Sequence, residues 1–162
     1  MAAEPQEIVR EIRIAATPED VFSYFTDAEK LVVWKAASAE IDARPGGRFR
    51  MDVTGRGDVA RGEYVEIVAP HRVVFTWGWE GDTPAPLTPS VVEVTISPDG
   101  DGTLLRLVHR GVPVKIRHRS AQGWDHYLPR LALAAAGSHP GHDPWASAPT
   151  DADNPTVVEE DR

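Results

Sequence analysis

The chain has 162 residues, no cysteine and a formal net charge of −8. This length fits one domain with its own core, and the lack of cysteine excludes disulfides, a thiol nucleophile and thiolate metal sites. An acidic chain repels phosphate backbones, so we expect no nucleic-acid partner. The sequence shows no apolar leader region and no run of 18 apolar residues, which predicts a cytoplasmic protein without a membrane span.

The first predicted elements are one strand and two short helices. Residues 7–14 alternate apolar and charged side chains, and the mixed outer face indicates an edge strand. Thr17 and Pro18 then fit the N-cap and first position of a helix. Thr26 followed by Glu29 predicts the start of a second short helix, which carries Leu31 and Trp34.

From residue 37 to about residue 112 the hydrophobic period is two, which predicts six further strands. Apolar residues alternate over 39–43, 49–53, 61–68, 73–79, 92–96 and 103–112. Gly62 is the expected site of a β-bulge in the third of these strands. Close turns between the strands predict antiparallel pairing in a meander, and the proline-rich stretch 81–89 is expected to be a loop.

A long helix is predicted at the end of the domain. Trp124, Tyr127, Leu128 and Leu131 recur at helical spacing, and Gly137 ends the pattern. Pro129 lies inside it, so we expect a kink near Asp125. The basic cluster Lys115, Arg117, His118 and Arg119 is interpreted as a solvated helix face. Residues 1–137 therefore form the predicted domain. Residues 138–162, rich in Pro and acidic residues, form a mostly disordered predicted tail, of which Trp145 is expected to dock back on the domain.

This order of elements predicts an α+β fold. The apolar face of the long helix has to be buried, and the apolar face of the sheet is the available partner. An antiparallel sheet of about seven strands twists and curls. We therefore expect a curved sheet around the C-terminal helix, with an apolar cavity between them.

Five sequence words carry a resemblance to a known family. They are TPEDVFSYFTDAEKLVVWKA, PGGRFRMDV, RGEYVEIVAPHRVVFTW, GTLLRLVHRGVP and GWDHYLPRLA. Together they resemble the START-like (SRPBCC) superfamily, and within it the AHSA-like branch, homologues of the activator of the heat-shock-protein-90 ATPase. The resemblance covers residues 7–137 and implies a helix-grip fold with a ligand cavity. It does not imply one activity, because a superfold hosts many functions.

The candidate binding residues are those predicted to face the interface between sheet and helix. The aromatic members are Trp34, Phe49, Phe75, Trp77, Trp79, Trp124 and Tyr127, and the aliphatic and sulfur-containing members are Met51, Val94, Leu107, Leu128 and Leu131. Each one alone is compatible with an ordinary core. Several Trp around one interface, each with an indole N–H that needs a partner, indicate a cavity wall with polar points.

His109 is the most specific single candidate. It alternates in step with Leu105 and Leu107 and so lies on the same face of the last strand, which predicts that its side chain points inward. A cavity histidine orients a ligand carbonyl or acts as a general base, and the alternative is a hydrogen-bonded structural histidine. Arg50 and Asp52 are predicted to lie on the outer face of their strand and are interpreted as a surface pair.

No catalytic or metal motif is recognisable. His139, His142 and Asp143 lie in the tail without a scaffold that fixes metal geometry, so we predict no metal site and no cofactor. The leading hypothesis is binding of a hydrophobic small molecule, either a lipid or an aromatic, polyketide-like compound. An enzyme of the cyclase, dehydratase or hydrolase type, using His109 with Tyr64 or Asp125, is the first alternative. A chaperone regulator and a homodimer are implied by the resemblance alone.

Overall fold

The computed structural model describes residues 7–81 and 89–146. The elements follow in the predicted order, as one strand, two short helices, six strands and one long helix. They are β1 Glu7–Ile14, α1 Pro18–Thr26, α2 Ala28–Trp34, β2 Ser38–Ile41, β3 Arg48–Asp52, β4 Val59–Val68, β5 Arg72–Trp79, β6 Ser90–Asp99, β7 Gly102–Arg110 and α3 Val114–Ala135. The predicted α+β class and the seven strands are confirmed.

The strands form one antiparallel sheet in the order β1-β7-β6-β5-β4-β3-β2. Strands β2 to β7 pair with their neighbours in the chain, which is the predicted meander. Strand β1 pairs with β7 and is an edge strand, as its mixed outer face predicts. The two short helices therefore connect the two opposite edges of the sheet.

The start of the second short helix differs from the prediction. Asp27 is its N-cap, and the Asp27 side chain accepts a hydrogen bond from the backbone N–H of Glu29 at 2.9 Å. Thr26, the predicted start, ends α1 instead, and its hydroxyl donates to the carbonyl of Phe22. Thr26 and Asp27 are both residue types that cap helices, and in the structure Asp27, one position later than predicted, is the N-cap.

The irregularity in β4 also lies elsewhere than expected. The register shifts between Tyr64 and Glu66, which leaves the Val65 side chain 55% exposed. Gly62 is paired regularly with Phe49, and a Cβ atom at Gly62 would lie 2.0 Å from the carbonyl oxygen of Thr76. Gly62 therefore serves close packing, and the bulge prediction for it is wrong.

The core lies between the inner face of the sheet and α3. Strands β5 to β7 contribute Val73, Phe75, Val92, Val94, Ile96, Leu105 and Leu107, and α3 contributes Trp124, Tyr127, Leu128, Leu131 and Ala134. α3 is one helix from residue 114 to residue 135 and continues through Pro129. The kink expected near Asp125 stays a prediction.

The chain continues to pack on the domain beyond Gly137. Asp143 is 9% exposed, and Trp145 stacks on the ring of His126 in α3 with centroids 3.8 Å apart. The docking expected for Trp145 is thus present, and the first nine residues of the segment 138–162 have defined positions. Residues 147–162 lie outside the described part of the chain. Within the described part, no helix has both the length and the apolar character needed to cross a bilayer.

Candidate functional site

An open cleft of about 430 Å³ lies at one end of the interface between sheet and helix. Its walls come from the end of β5, the turn between β3 and β4, the N-terminal half of α3 and residues 138–146, which pack on α3 and are called the docked segment. The lining residues are Lys35, Val53, Thr54, Gly57, Asp58, Val59, Trp77, Trp79, Glu80, His109, Ile116, Arg119, Ser120, Gly123, Trp124, Tyr127 and Trp145. A volume of this size is within the range of about 300–1,000 Å³ that is usual for small-molecule sites.

The wider space between sheet and helix is almost filled. A void of only about 20 Å³ remains beneath the cleft. Trp34, Phe49, Met51 and Phe75 border this void together with Lys35 and other aromatic residues. The rings pack edge to face, as Phe49 and Phe75 do at 5.6 Å and 88°, and such pairs add to the stability of the core. The apolar cavity expected between the sheet and the helix stays a prediction; the structure shows this small void and the open cleft at one end.

Aromatic side chains form the cleft wall on both sides. The ring centroid of Trp77 in β5 lies 6.1 Å from that of Trp124 in α3 and 5.7 Å from that of Trp79. The ring planes of Trp77 and Trp79 meet at 86°. The alternation of β5 places both its tryptophans on the face toward α3, as predicted. Since the rings come from a strand and a helix, their positions are fixed by the core and not by loops.

Lys35 is the charged residue at the floor of the cleft. It is the C-cap of α2, and its backbone N–H donates to the carbonyl of Leu31 at 2.8 Å. The residue is only 7% exposed. Its Nζ lies 4.2 Å from the ring centroid of Tyr127, 4.8 Å from that of Trp77 and 5.1 Å from that of Trp124. Three aromatic faces thus surround one amine.

The surroundings of Lys35 supply no anionic partner in direct contact. Across residues 7–81 and 89–146, its Nζ makes neither a hydrogen bond nor an ion pair. Burial lowers the pKa of Lys35 to about 7, and the negative charge of Asp143 offsets part of this effect. Burial disfavours a charged amine because its hydration is lost, whereas ring faces stabilise the charged form. Near neutral pH the amine is therefore present in both protonation states.

His109 is buried as predicted, with 1% exposure, and both of its ring nitrogens are occupied. The indole N–H of Trp124 donates to Nδ1 at 3.1 Å, so Nδ1 carries no proton. Nε2 therefore carries it and donates to the hydroxyl of Ser90 at 2.9 Å, and that hydroxyl donates to the carbonyl of Trp77 at 2.7 Å. Burial, and then the charge of Lys35, lower the pKa of His109 to about 4.

This chain of hydrogen bonds assigns His109 a structural role. A neutral imidazole has one donor and one acceptor nitrogen, and both are used. A general base needs a free lone pair directed at the substrate, and His109 has none in this arrangement. The structural alternative for His109 is therefore the one that the geometry supports.

The docked segment is held to α3 through Asp143. Its carboxylate accepts from the Tyr127 hydroxyl and from Nε2 of His126, each at 2.7 Å, and from the backbone N–H of Trp145 at 2.9 Å. Burial raises the pKa of Asp143, but these hydrogen bonds outweigh it and hold the pKa below its ordinary value. Across the cleft mouth, Nη2 of Arg56 donates to the carbonyl of Trp145 at 3.0 Å.

The predicted site residues fall into three groups. Trp77, Trp79, His109, Trp124 and Tyr127 line the cleft, whereas Trp34, Phe49, Met51 and Phe75 border the small void. Val94, Leu107, Leu128 and Leu131 are core residues with exposures of 4% or less. A role of any of them in binding stays a prediction.

Asp125 and Tyr64, the other two predicted catalytic candidates, do not line the cleft. Asp125 pairs with Arg10 on the surface at 2.6 Å, and the Tyr64 hydroxyl donates to the carbonyl of Phe25.

The predicted surface pair of Arg50 and Asp52 is wrong, because Arg50 pairs with Glu80 instead, at 2.7 Å. Asp52 instead accepts from the backbone N–H of Gly55 in the adjoining turn.

Sequence reasoning missed Lys35. A lysine is ordinarily a surface residue, and periodicity treats it as polar. The available signal was its position four residues after Leu31, because residues four apart share one face of a helix and Leu31 is buried. The short α2 therefore directs this lysine inward.

Comparison with known proteins identifies the family. The sequence model of the family described as Activator of Hsp90 ATPase homolog 1-like protein matches residues 15–136. An AHSA1-like protein from Rhizobium etli, solved in solution, is 40% identical with a TM-score of 0.67, covering 93% of this chain and 95% of that one. CalU16 from Micromonospora echinospora is 28% identical with a TM-score of 0.67, covering 81% and 76%.

A curated human relative matches over a shorter part of its own length. The human Activator of 90 kDa heat shock protein ATPase homolog 1 is 29% identical over 111 residues, which are 68% of this chain and 31% of the relative. The chain thus matches about a third of that protein. The fold, the family match and the relatives agree, and the chain belongs to the AHSA1-like family of START-like proteins.

Proposed function

We propose that the protein binds a small hydrophobic or aromatic molecule in the cleft, with the polar end of the ligand at Lys35. The observation that carries the proposal is the buried amine of Lys35, which makes no hydrogen bond or ion pair within residues 7–81 and 89–146, at the floor of an aromatic cleft of about 430 Å³. A lysine held in such a place costs stability, because its charge loses hydration without gaining an ion pair. A ligand with a carboxylate or carbonyl group would supply the missing acceptor.

The energetics favour a ligand with one polar anchor. Burying about 300 Å² of apolar ligand surface contributes roughly 7 kcal/mol, and association costs at least about 4 kcal/mol. The remaining ~3 kcal/mol falls short of the ~8 kcal/mol that micromolar affinity requires. A hydrogen bond to a charged group adds about 1.5–3 kcal/mol, so the contact to Lys35 is expected to decide whether binding is measurable.

Native mass spectrometry tests this proposal. The protein is equilibrated with 2-naphthoic acid, decanoic acid or, as a polar control, glucose. We expect a 1:1 complex with at least one of the two acids, which disappears on denaturation, and no complex with glucose. Equal adduct levels for all three compounds, or none for either acid at high micromolar concentration, would contradict the proposal.

Regulation of Hsp90 is the second candidate, supported by the family and by the name of the human relative. The matched region is only 31% of that relative, so the activity of the whole relative is not transferred with it. The test is the ATPase rate of purified Hsp90 with and without this protein. A saturable increase would support the regulator, and an unchanged rate at saturating concentration would remove it.

The enzyme alternative loses its main residue. His109 has both ring nitrogens engaged, Asp125 is on the surface, and the hydroxyl of Tyr64 is held by the backbone. Chemistry in this cleft would have to use another group. Lys35 is one titratable residue that lines the cleft, together with Asp58 and Glu80.

A further inference from the structure

The chain has two lysines outside the cleft with which Lys35 can be compared. The sequence contains three lysines, Lys30, Lys35 and Lys115. Lys30 donates to the hydroxyl of Ser23 at 2.7 Å, and Lys115 is exposed at the start of α3. Only Lys35 of these three lines the cleft. The reactivity of the Lys35 amine in the cleft can therefore be measured against that of the Lys30 and Lys115 amines in the same protein.

The environment of Lys35 meets the requirements of an amine nucleophile. An amine attacks only in its neutral form, and desolvation in an apolar pocket is one way in which proteins obtain that form. Burial lowers the pKa of Lys35 to about 7, so a substantial part of this amine is neutral at pH 7. A lysine of ordinary pKa has roughly a thousandfold less neutral amine at that pH.

The geometry leaves the lone pair of Lys35 available. No acceptor or carboxylate among the described residues fixes its Nζ, and the rings of Trp77, Trp124 and Tyr127 approach it at 4.2–5.1 Å without bonding to it. Lys35 is one of the residues that line the open cleft.

We propose that the Nζ of Lys35 forms a reversible imine with the aldehyde or ketone group of a small aromatic ligand, an inference that rests on the proposed binding in the cleft. The nitrogen lone pair attacks the carbonyl carbon, a C–N bond forms, and the C=O π electrons move to oxygen. Two N–H hydrogens then leave with that oxygen as water, which gives the C=N bond. The step is neither an oxidation nor a reduction.

The experiment uses reductive trapping with peptide mapping. The protein is incubated at pH 7 with 2-naphthaldehyde and sodium cyanoborohydride, whose hydride reduces the imine to a stable secondary amine. Digestion then locates the naphthylmethyl group on one of the three lysines or on the α-amino group. Native mass spectrometry with 2-naphthoic acid and decanoic acid, which carry the carboxylate of the proposed ligand and cannot form an imine, measures binding in the cleft separately. Lys35→Met and the matched surface control Lys115→Met complete the set.

The expected result is labelling of Lys35 at least about tenfold above Lys30 and Lys115, in line with its larger neutral fraction. This label should be lost in Lys35→Met and kept in Lys115→Met, and mapping of the wild-type chain gives the answer even if the first variant does not fold. Binding of either acid without preferential labelling of Lys35 would overturn the imine and leave the proposed function standing. Preferential labelling without measurable binding of either acid would support the imine and contradict the non-covalent function. Absence of both would overturn both.

Discussion

Lys35 and Tyr127 meet at the floor of the cleft, with the amine 4.2 Å from the centre of the phenol ring. The hydroxyl of the same ring donates to Asp143 at 2.7 Å. Tyr127 therefore contacts the buried amine with its face and the buried carboxylate with its hydroxyl. This arrangement couples the floor of the cleft to the segment that closes one side of it.

Replacing Gly123 separates binding from stability. Gly123 lies in α3, lines the cleft, and a Cβ atom there would meet nothing within 4 Å. We expect Gly123→Leu to fill the cleft and abolish binding of 2-naphthoic acid. Because glycine costs up to about 1 kcal/mol in a helix, the same change should raise the Tm by a few degrees. Thermal unfolding and native mass spectrometry measure both effects. The control Gly123→Ala should raise the Tm with a smaller loss of binding, and a Leu variant that binds normally would contradict the assigned cleft.

The pKa of Lys35 predicts a pH-dependent stability. Its folded-state pKa of about 7 lies below the ordinary value of about 10.4, so between these values the unfolded chain binds more protons. Stability therefore rises with pH across this window, by at most about 5 kcal/mol in total. Urea unfolding of the wild type relative to Lys35→Met, at pH 7 and pH 9.5, measures it. A difference between the two proteins that does not change with pH would show that the amine is not desolvated.

The carboxylate of Asp143 should matter more than a surface carboxylate. Asp143→Ala removes the acceptor of Tyr127 and His126 and leaves a buried hydroxyl without a partner, which costs about 1–3 kcal/mol. The control Asp125→Ala breaks an exposed pair with Arg10 and should cost no more than about 1 kcal/mol. Urea unfolding gives both values. Equal costs for the two variants would mean that the docked segment does not depend on Asp143.

His109 should remain neutral far below the pH at which histidines usually titrate. Its pKa is lowered to about 4 in the folded state against about 6.5 unfolded, so its contribution to stability is present above pH 6.5 and is lost as the pH falls toward 4. Nitrogen-15 NMR of the ring should show the Nε2–H tautomer from pH 8 to pH 5.5. Titration of this ring near pH 6.5 would refute the hydrogen-bond chain through Trp124 and Ser90.

The fold was largely readable from the sequence, because each element is specified locally. Alternation placed Trp77 and Trp79 on one face of β5 and His109 on the inner face of β7, and the Thr17-Pro18 cap marked α1. Local signals were ambiguous where two residues competed for one role. Thr26 and Asp27 both cap helices, and the bulge after Tyr64 depends on cross-strand packing that one strand does not encode.

The site was less predictable than the fold, because it depends on contacts between distant segments. The alternation of apolar residues along the strands predicted the aromatic wall. The inward direction of the Lys35 side chain depends instead on the orientation of α2 against α3. The return of Trp145 onto His126 brings together residues 19 positions apart, after a glycine- and proline-rich stretch without periodicity. The size of the cleft depends on how completely the core aromatic residues fill the space beneath it, and no sequence pattern encodes that volume.

Ligand binding in the cleft can be tested by NMR on the five tryptophan indole N–H signals during a titration with 2-naphthoic acid. Trp77, Trp79, Trp124 and Trp145 line the cleft, whereas the indole of Trp34 donates to the carbonyl of Tyr24 at 3.0 Å outside it. Binding in the cleft predicts concentration-dependent shifts of those four signals, an unchanged Trp34 signal, and no shifts in Gly123→Leu. Unchanged signals of these four tryptophans, or shifts that persist in Gly123→Leu, would contradict binding in the cleft.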